Sequence, residues 1–168
     1  MRIIQTLLVI VFPFIVDAQE LTTNQYDDLG KKTGLWIEHN GEFEFYYING
    51  ELHGLIRHYS RSTGRLIGFG EYRNGEPVGT SYVFHDSGHL LFIMTDFKKN
   101  TVLQRQNDNG DKVTPPHTCW IKDFYPNGQI QAEGLVLYYE DPEMDSYKIG
   151  EWTYYSEDGE KSVIVENE

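Results

Sequence analysis

Apolar residues in this chain come in short runs rich in Tyr, Phe, Ile, Val and Trp, short enough for strands and too often broken by glycine for helices. Five Asn-Gly pairs, at 40–41, 49–50, 74–75, 109–110 and 127–128, supply turns, because a two-residue hairpin needs positive φ at its centre and Asn and Gly tolerate it. Thr63-Gly64, Ser87-Gly88 and Asp158-Gly159 serve as weaker equivalents. The pattern predicts strands near 35–39, 42–48, 55–60, 65–73, 80–85, 89–97, 119–125, 129–138, 150–155 and 161–165. In Leu90-Leu91-Phe92-Ile93-Met94 five apolar residues follow one another, which on a strand means cover on both faces. Leu90, Ile93, Met94 and Phe97 would also share one side of a helix over 89–98, a competing reading. The doublets Tyr46-Tyr47, Tyr138-Tyr139 and Tyr154-Tyr155 send one ring to each side of a strand, so both faces carry aromatic area.

The glycines repeat. Gly-x-x-x-Gly stands at Gly30 and Gly34, at Gly50 and Gly54, and at Gly75 and Gly79, in steps of 20 and then 25 residues. Tyr47-Ile48-Asn49-Gly50-Glu51 aligns with Tyr72-Arg73-Asn74-Gly75-Glu76, and the spacing from Gly79 to Gly88 equals that from Gly150 to Gly159. Residues 98–118 depart from the pattern: Pro115 and Pro116 remove ladder donors, which predicts an extended seam between two repeat groups. Residues 140–146 are acidic and broken by Pro142, which predicts a protruding loop. Tyr-x-Asn-Gly-x-x-x-Gly followed by an aromatic strand, Phe124-Tyr125-Pro126-Asn127-Gly128-Gln129-Ile130, and Gly150-Glu151-Trp152-Thr153-Tyr154-Tyr155 together resemble the variant MORN repeat of bacterial exported proteins, over about residues 26–160. The resemblance implies an all-β fold, an elongated antiparallel sheet of successive β-hairpins. It also brings the antitoxin-like label that this family often carries.

At the start of the chain, Arg2, an apolar run from Leu7 to Val16 broken only by Pro13, and then Val16-Asp17-Ala18 read as a signal peptide over 1–18, cut after Ala18. The run is too short for a membrane anchor. Export to the periplasm or beyond is the expectation, with residues 19–168 as the repeat domain. Asp and Glu number 26 against 14 Lys and Arg, a net charge of -12 that the loss of Arg2 with Asp17 leaves unchanged. Such a surface repels nucleic acid and anionic membranes and suits a basic protein partner. One cysteine excludes an internal disulfide. With 39% hydrophobic residues the core is thin, which fits a sheet with one wet face.

Candidate chemistry is sparse. His53 with His58, and His85 with His89, lack further ligands for a metal site. The acidic segments Asn107–Asp111 and Glu140–Asp145 offer oxygens without the calcium-loop spacing. Cys119 and His117 share a strand face, yet no third group or oxyanion pocket accompanies them. These readings give no catalytic residues, metal or cofactor. Trp36, Tyr59, Tyr82, Trp152 and Tyr154 are the candidate binding residues, on condition that they lie on the open face. The expected function is a non-catalytic exported binding module; the alternative is an envelope hydrolase acting on glycan or peptide, with Glu71 and Glu133 as acid and base.

Overall fold

Asn74 and Gly75 take φ of 52° and 78°, and Asn49 and Gly50 take 54° and 86°. Paired left-handed residues of this kind match the twist of the strands they join. The computed structural model describes residues 22–106, 109–139 and 145–166. The expected signal peptide, and residues 140–144 of the expected acidic loop, lie outside them. In chain order the strands are β1 (Gln25–Tyr26), β2 (Lys32–Glu38), β3 (Phe43–Ile48), β4 (Glu51–Leu52), β5 (Gly54–Tyr59), β6 (Leu66–Arg73), β7 (Glu76–Phe84) and β8 (Leu90–Lys99). After these come β9 (Arg105–Gln106), β10 (Lys112–Val113), β11 (His117–Phe124), β12 (Ile130–Tyr139), β13 (Asp145–Tyr155) and β14 (Lys161–Glu166). Among the described residues there is no α-helix.

One antiparallel sheet runs β1-β2-β3-β5-β6-β7-β8-β11-β12-β13-β14, with β4 beside β3. Every strand that the sequence predicts is present. Residues 89–98 form β8, hydrogen-bonded to β7 on one side and β11 on the other, so the helical alternative is wrong. Its unbroken apolar run reflects a central strand with neighbours on both edges, Leu90 to Ile93 half-buried and Met94 buried. β8 pairs directly with β11, Met94 opposite Ile121, so the sheet is continuous past residues 100–116. That segment turns aside and forms the separate β9-β10 ribbon. Its Arg105 guanidinium lies 3.1 Å from the centre of the Tyr147 ring.

The repeat glycines set which face is buried. Gly34, Gly54, Gly79 and Gly150 all take positive φ, between 68° and 85°. The residue two places on is Trp36, Ile56, Ser81 or Trp152, and each points to the same side of the sheet. Strand register then carries this side across: Ser81, Met94, Ile121, Gly134, Trp152 and Ile164 form one row. Of the buried apolar side chains, all but Leu137 lie on this core face. Two hairpins repeat one further device. Lys32 Nζ stands 4.3 Å from the centre of the Trp36 ring and 4.9 Å from that of Tyr47. Lys148 Nζ stands 4.2 Å from Trp152 and 4.8 Å from Tyr154. In Lys-x-Gly-x-Trp the left-handed glycine brings the ammonium back over the indole, where the ring quadrupole attracts it.

Beyond its short pairing with β1, strand β2 is capped at Ile37 by a side chain. Asn24 Nδ2 donates to the Ile37 carbonyl at 3.1 Å, and the Ile37 N–H donates to Asn24 Oδ1 at 2.7 Å, so one amide takes the place of a paired strand residue.

Candidate functional site

The opposite, open face also carries apolar side chains. Ile37, Tyr46, Ile48 and Leu55 lie there on the neighbouring strands β2, β3 and β5, each 38–44% exposed. They are contiguous through the pairing of Ile37 with Glu44 and of Leu35 with Tyr46. Charged groups border them: Arg57 Nη1 donates to Glu44 Oε2 at 3.1 Å, and Glu71 stands 3.8 Å from Arg73. Farther along, Tyr82 stacks on Phe69 with ring centres 4.9 Å apart, extending an aromatic surface with Phe84.

The five candidate binding residues divide between the faces. Trp36 and Trp152 are 7% and 1% exposed on the core face, so the open-face condition fails for both. Their indole N–H groups are used internally: Trp36 donates to the carbonyls of Gln25 and Thr33, and Trp152 to that of Leu135. Tyr154 is half-buried on the same face, and its hydroxyl accepts from Lys148 Nζ at 3.0 Å. Tyr59 and Tyr82 are on the open face, both half-buried. The exposed large apolar residues of that face, Ile37, Tyr46, Ile48 and Leu55, were not among the candidates. Repeat phase could have found them, since counting by two from Gly34 or Gly54 reaches the core and the odd steps reach Leu35, Ile37 and Leu55.

The groups considered for chemistry are engaged elsewhere. Cys119 is fully buried, and burial pushes its thiol up to about 12. Its strand neighbour His117 is hydrogen-bonded through Nε2 to Glu76. Burial would raise the Glu133 carboxyl, but it accepts from the Tyr155 hydroxyl at 2.8 Å, Lys122 Nζ at 3.2 Å and Trp120 Nε1 at 3.4 Å. These donors hold it below its ordinary value, which suits a fixed anion and not a proton donor. Glu71 and Glu133 sit on β6 and β12, four strands apart, or about 19 Å along the sheet. The 5 to 9.5 Å or so between carboxyl groups that glycoside hydrolysis uses is not met by this pair. His85 and His89 stack 4.7 Å apart and both meet the Ser87 hydroxyl through Nδ1, at 2.8 Å each.

Residues 121–138, the end of β11, its turn and most of β12, match the family model of the MORN repeat variant. No curated protein matches the chain. The chain therefore carries a MORN-type repeat, in a sheet of successive hairpins.

Proposed function

We propose that this protein is a non-catalytic binding or scaffold module that offers the open face of its repeat sheet to a protein partner with an apolar centre and a basic rim. The observation that carries the reading is the contiguous patch of Ile37, Tyr46, Ile48 and Leu55 on a face that no second layer covers among the described residues. MORN repeats are commonly binding or scaffold modules, which supports it. A net charge of -12 steers a basic partner from a distance, while the patch supplies short-range area. On this reading the chain acts after export, in the periplasm or outside the cell. Neutralising a basic toxin there is its antitoxin-like form. It calls for no metal, cofactor or nucleic acid.

The test places a photo-crosslinking amino acid at Tyr46 in the full chain and, as a control, at Glu157 in a turn remote from the patch. Capture of one basic protein from Tyr46 alone, lost in the Leu55→Asp background while the circular dichroism spectrum is unchanged, supports the reading. Equal capture from both positions, or capture that survives Leu55→Asp, overturns it.

A further inference from the structure

Beside the apolar patch, between the β2-β3 turn and the β5-β6 turn, lies an open hollow of about 830 Å³ lined by Asn40, Glu42, Glu44, Tyr59, Ser60 and Arg61. Its charges are arranged unevenly. Arg61 Nε donates to Glu42 Oε1, but the arginine side chain is 79% exposed while the glutamate is 16% exposed. The carboxylate is thus recessed and its cation stands out in solvent. Glu44, the second acid, is fixed by Arg57 and accepts from the Tyr59 hydroxyl. Tyr59 is anchored in turn by its N–H, which donates to the Glu42 carbonyl at 2.7 Å.

The rim is a tight left-handed turn. His39, Asn40 and Gly41 take positive φ in succession, 51°, 58° and 92°, whereas the turns at Asn49-Gly50 and Asn74-Gly75 use two such residues. All three are residue types that tolerate the left-handed region, so the rim holds this tight turn without a strained side chain.

We infer that this hollow is a receptor for an arginine side chain of a partner protein, and that Arg61 holds the place in the free molecule. A recessed carboxylate beside an aromatic wall takes a planar guanidinium through charge-assisted hydrogen bonds and ring contact. The present ion pair is a weak competitor, because an exposed arginine gains little from a single carboxylate and swings away at small cost. An anionic ligand would meet Glu42 and Glu44, and the surface charge of -12 favours a cation over the whole molecule. The inference rests on the reading of a basic protein partner and names the side chain that such a partner would seat.

The experiment follows amide shifts of the full chain as acetyl-Gly-Arg-Gly-amide is added, with the lysine analogue for comparison. Shifts centred on Gly41, Tyr59 and Gly64, larger for arginine than lysine, are expected. Arg61→Ala should tighten the peptide about three- to fivefold by removing the internal competitor. Glu42→Gln should loosen it about tenfold, and Glu51→Gln, an exposed acid at another turn, should leave it unchanged. Loss that is equal for Glu42→Gln and Glu51→Gln, weaker binding in Arg61→Ala, or no shifts at the hollow overturns the inference. The Leu55→Asp variant should bind the peptide normally, so failure here with success of the Tyr46 crosslink removes the arginine receptor and leaves the proposed partner surface standing.

Discussion

The indole of Trp152 occupies the space above Gly134: a Cβ added to Gly134 would stand 2.5 Å from ring atoms Cδ2 and Cε2. These residues face each other across β12 and β13, so the absent side chain of one makes room for the largest side chain of the core. At the corresponding place in the hairpin of β6 and β7, Gly70 lies beside Ser81. Bulk is traded between the two strands of a repeat.

Gly134→Ala should therefore cost on the order of 2 to 3 kcal/mol, since the buried indole has nowhere to move. Gly70→Ala should cost about 1 kcal/mol or less, because it meets chiefly the small Ser81 side chain, whose hydroxyl can rotate. Urea unfolding of both variants checks this, and equal losses would show that the ring contact does not decide the cost.

Asp123 is half-buried on the core face, and burial raises its carboxyl above the ordinary value, with Lys148 opposing. A raised pKa in the folded state means stability that is present at low pH and lost as pH rises through the folded value. Asp123→Asn should raise Tm at pH 7, and the gain should shrink as pH falls toward 3.8, the ordinary value for Asp. A gain of the same size at pH 3.5 and 7 would point to a cause other than the charge.

Glu76 behaves in the opposite sense. The His117 hydrogen bond, helped by Lys99, holds its carboxyl below 4.5. Its stabilising effect is present above the unfolded value and disappears as pH falls through the folded one. Glu76→Gln should flatten the acid limb of the Tm profile below pH 4.5. An unchanged limb would exclude Glu76 as a source of acid sensitivity.

Cys119, with its thiol pushed up to about 12, should be unreactive in the native protein at pH 8. Alkylation by iodoacetamide is expected only as urea unfolds the chain, with the same midpoint as loss of tryptophan fluorescence. Rapid labelling in buffer would mean that the centre of the sheet opens locally.

The strands and turns were legible because the signal is local. Asn74-Gly75 and Asn49-Gly50 announce positive φ, and aromatic runs between them leave little alternative to a strand. Face assignment was harder. Tyr46 and Tyr47 are chemically alike, yet Tyr46 is exposed on the open face and Tyr47 half-buried beside Trp36. Composition favours tryptophan at interfaces, yet the left-handed glycines Gly34 and Gly150 set the phase that turns Trp36 and Trp152 to the core face, and the missing side chain of Gly134 makes room for Trp152. The hollow is not legible in the sequence because Glu42 and Arg61 are 19 residues apart and meet only through sheet register. Prolines 115 and 116 did mark an irregular connector, but only pairing between Met94 and Ile121 reveals that the sheet closes beneath it.

Asn24 also limits how molecules of this protein can join. Its amide already holds both backbone groups of Ile37, so an incoming strand finds no ladder to extend there. At the other end β14 is the last strand among the described residues. Fibres grow by edge joining only when each molecule offers two free ends that fit one another. Strand joining at this part of β2 must therefore begin by displacing Asn24, so this one amide works against propagation by pairing at Ile37.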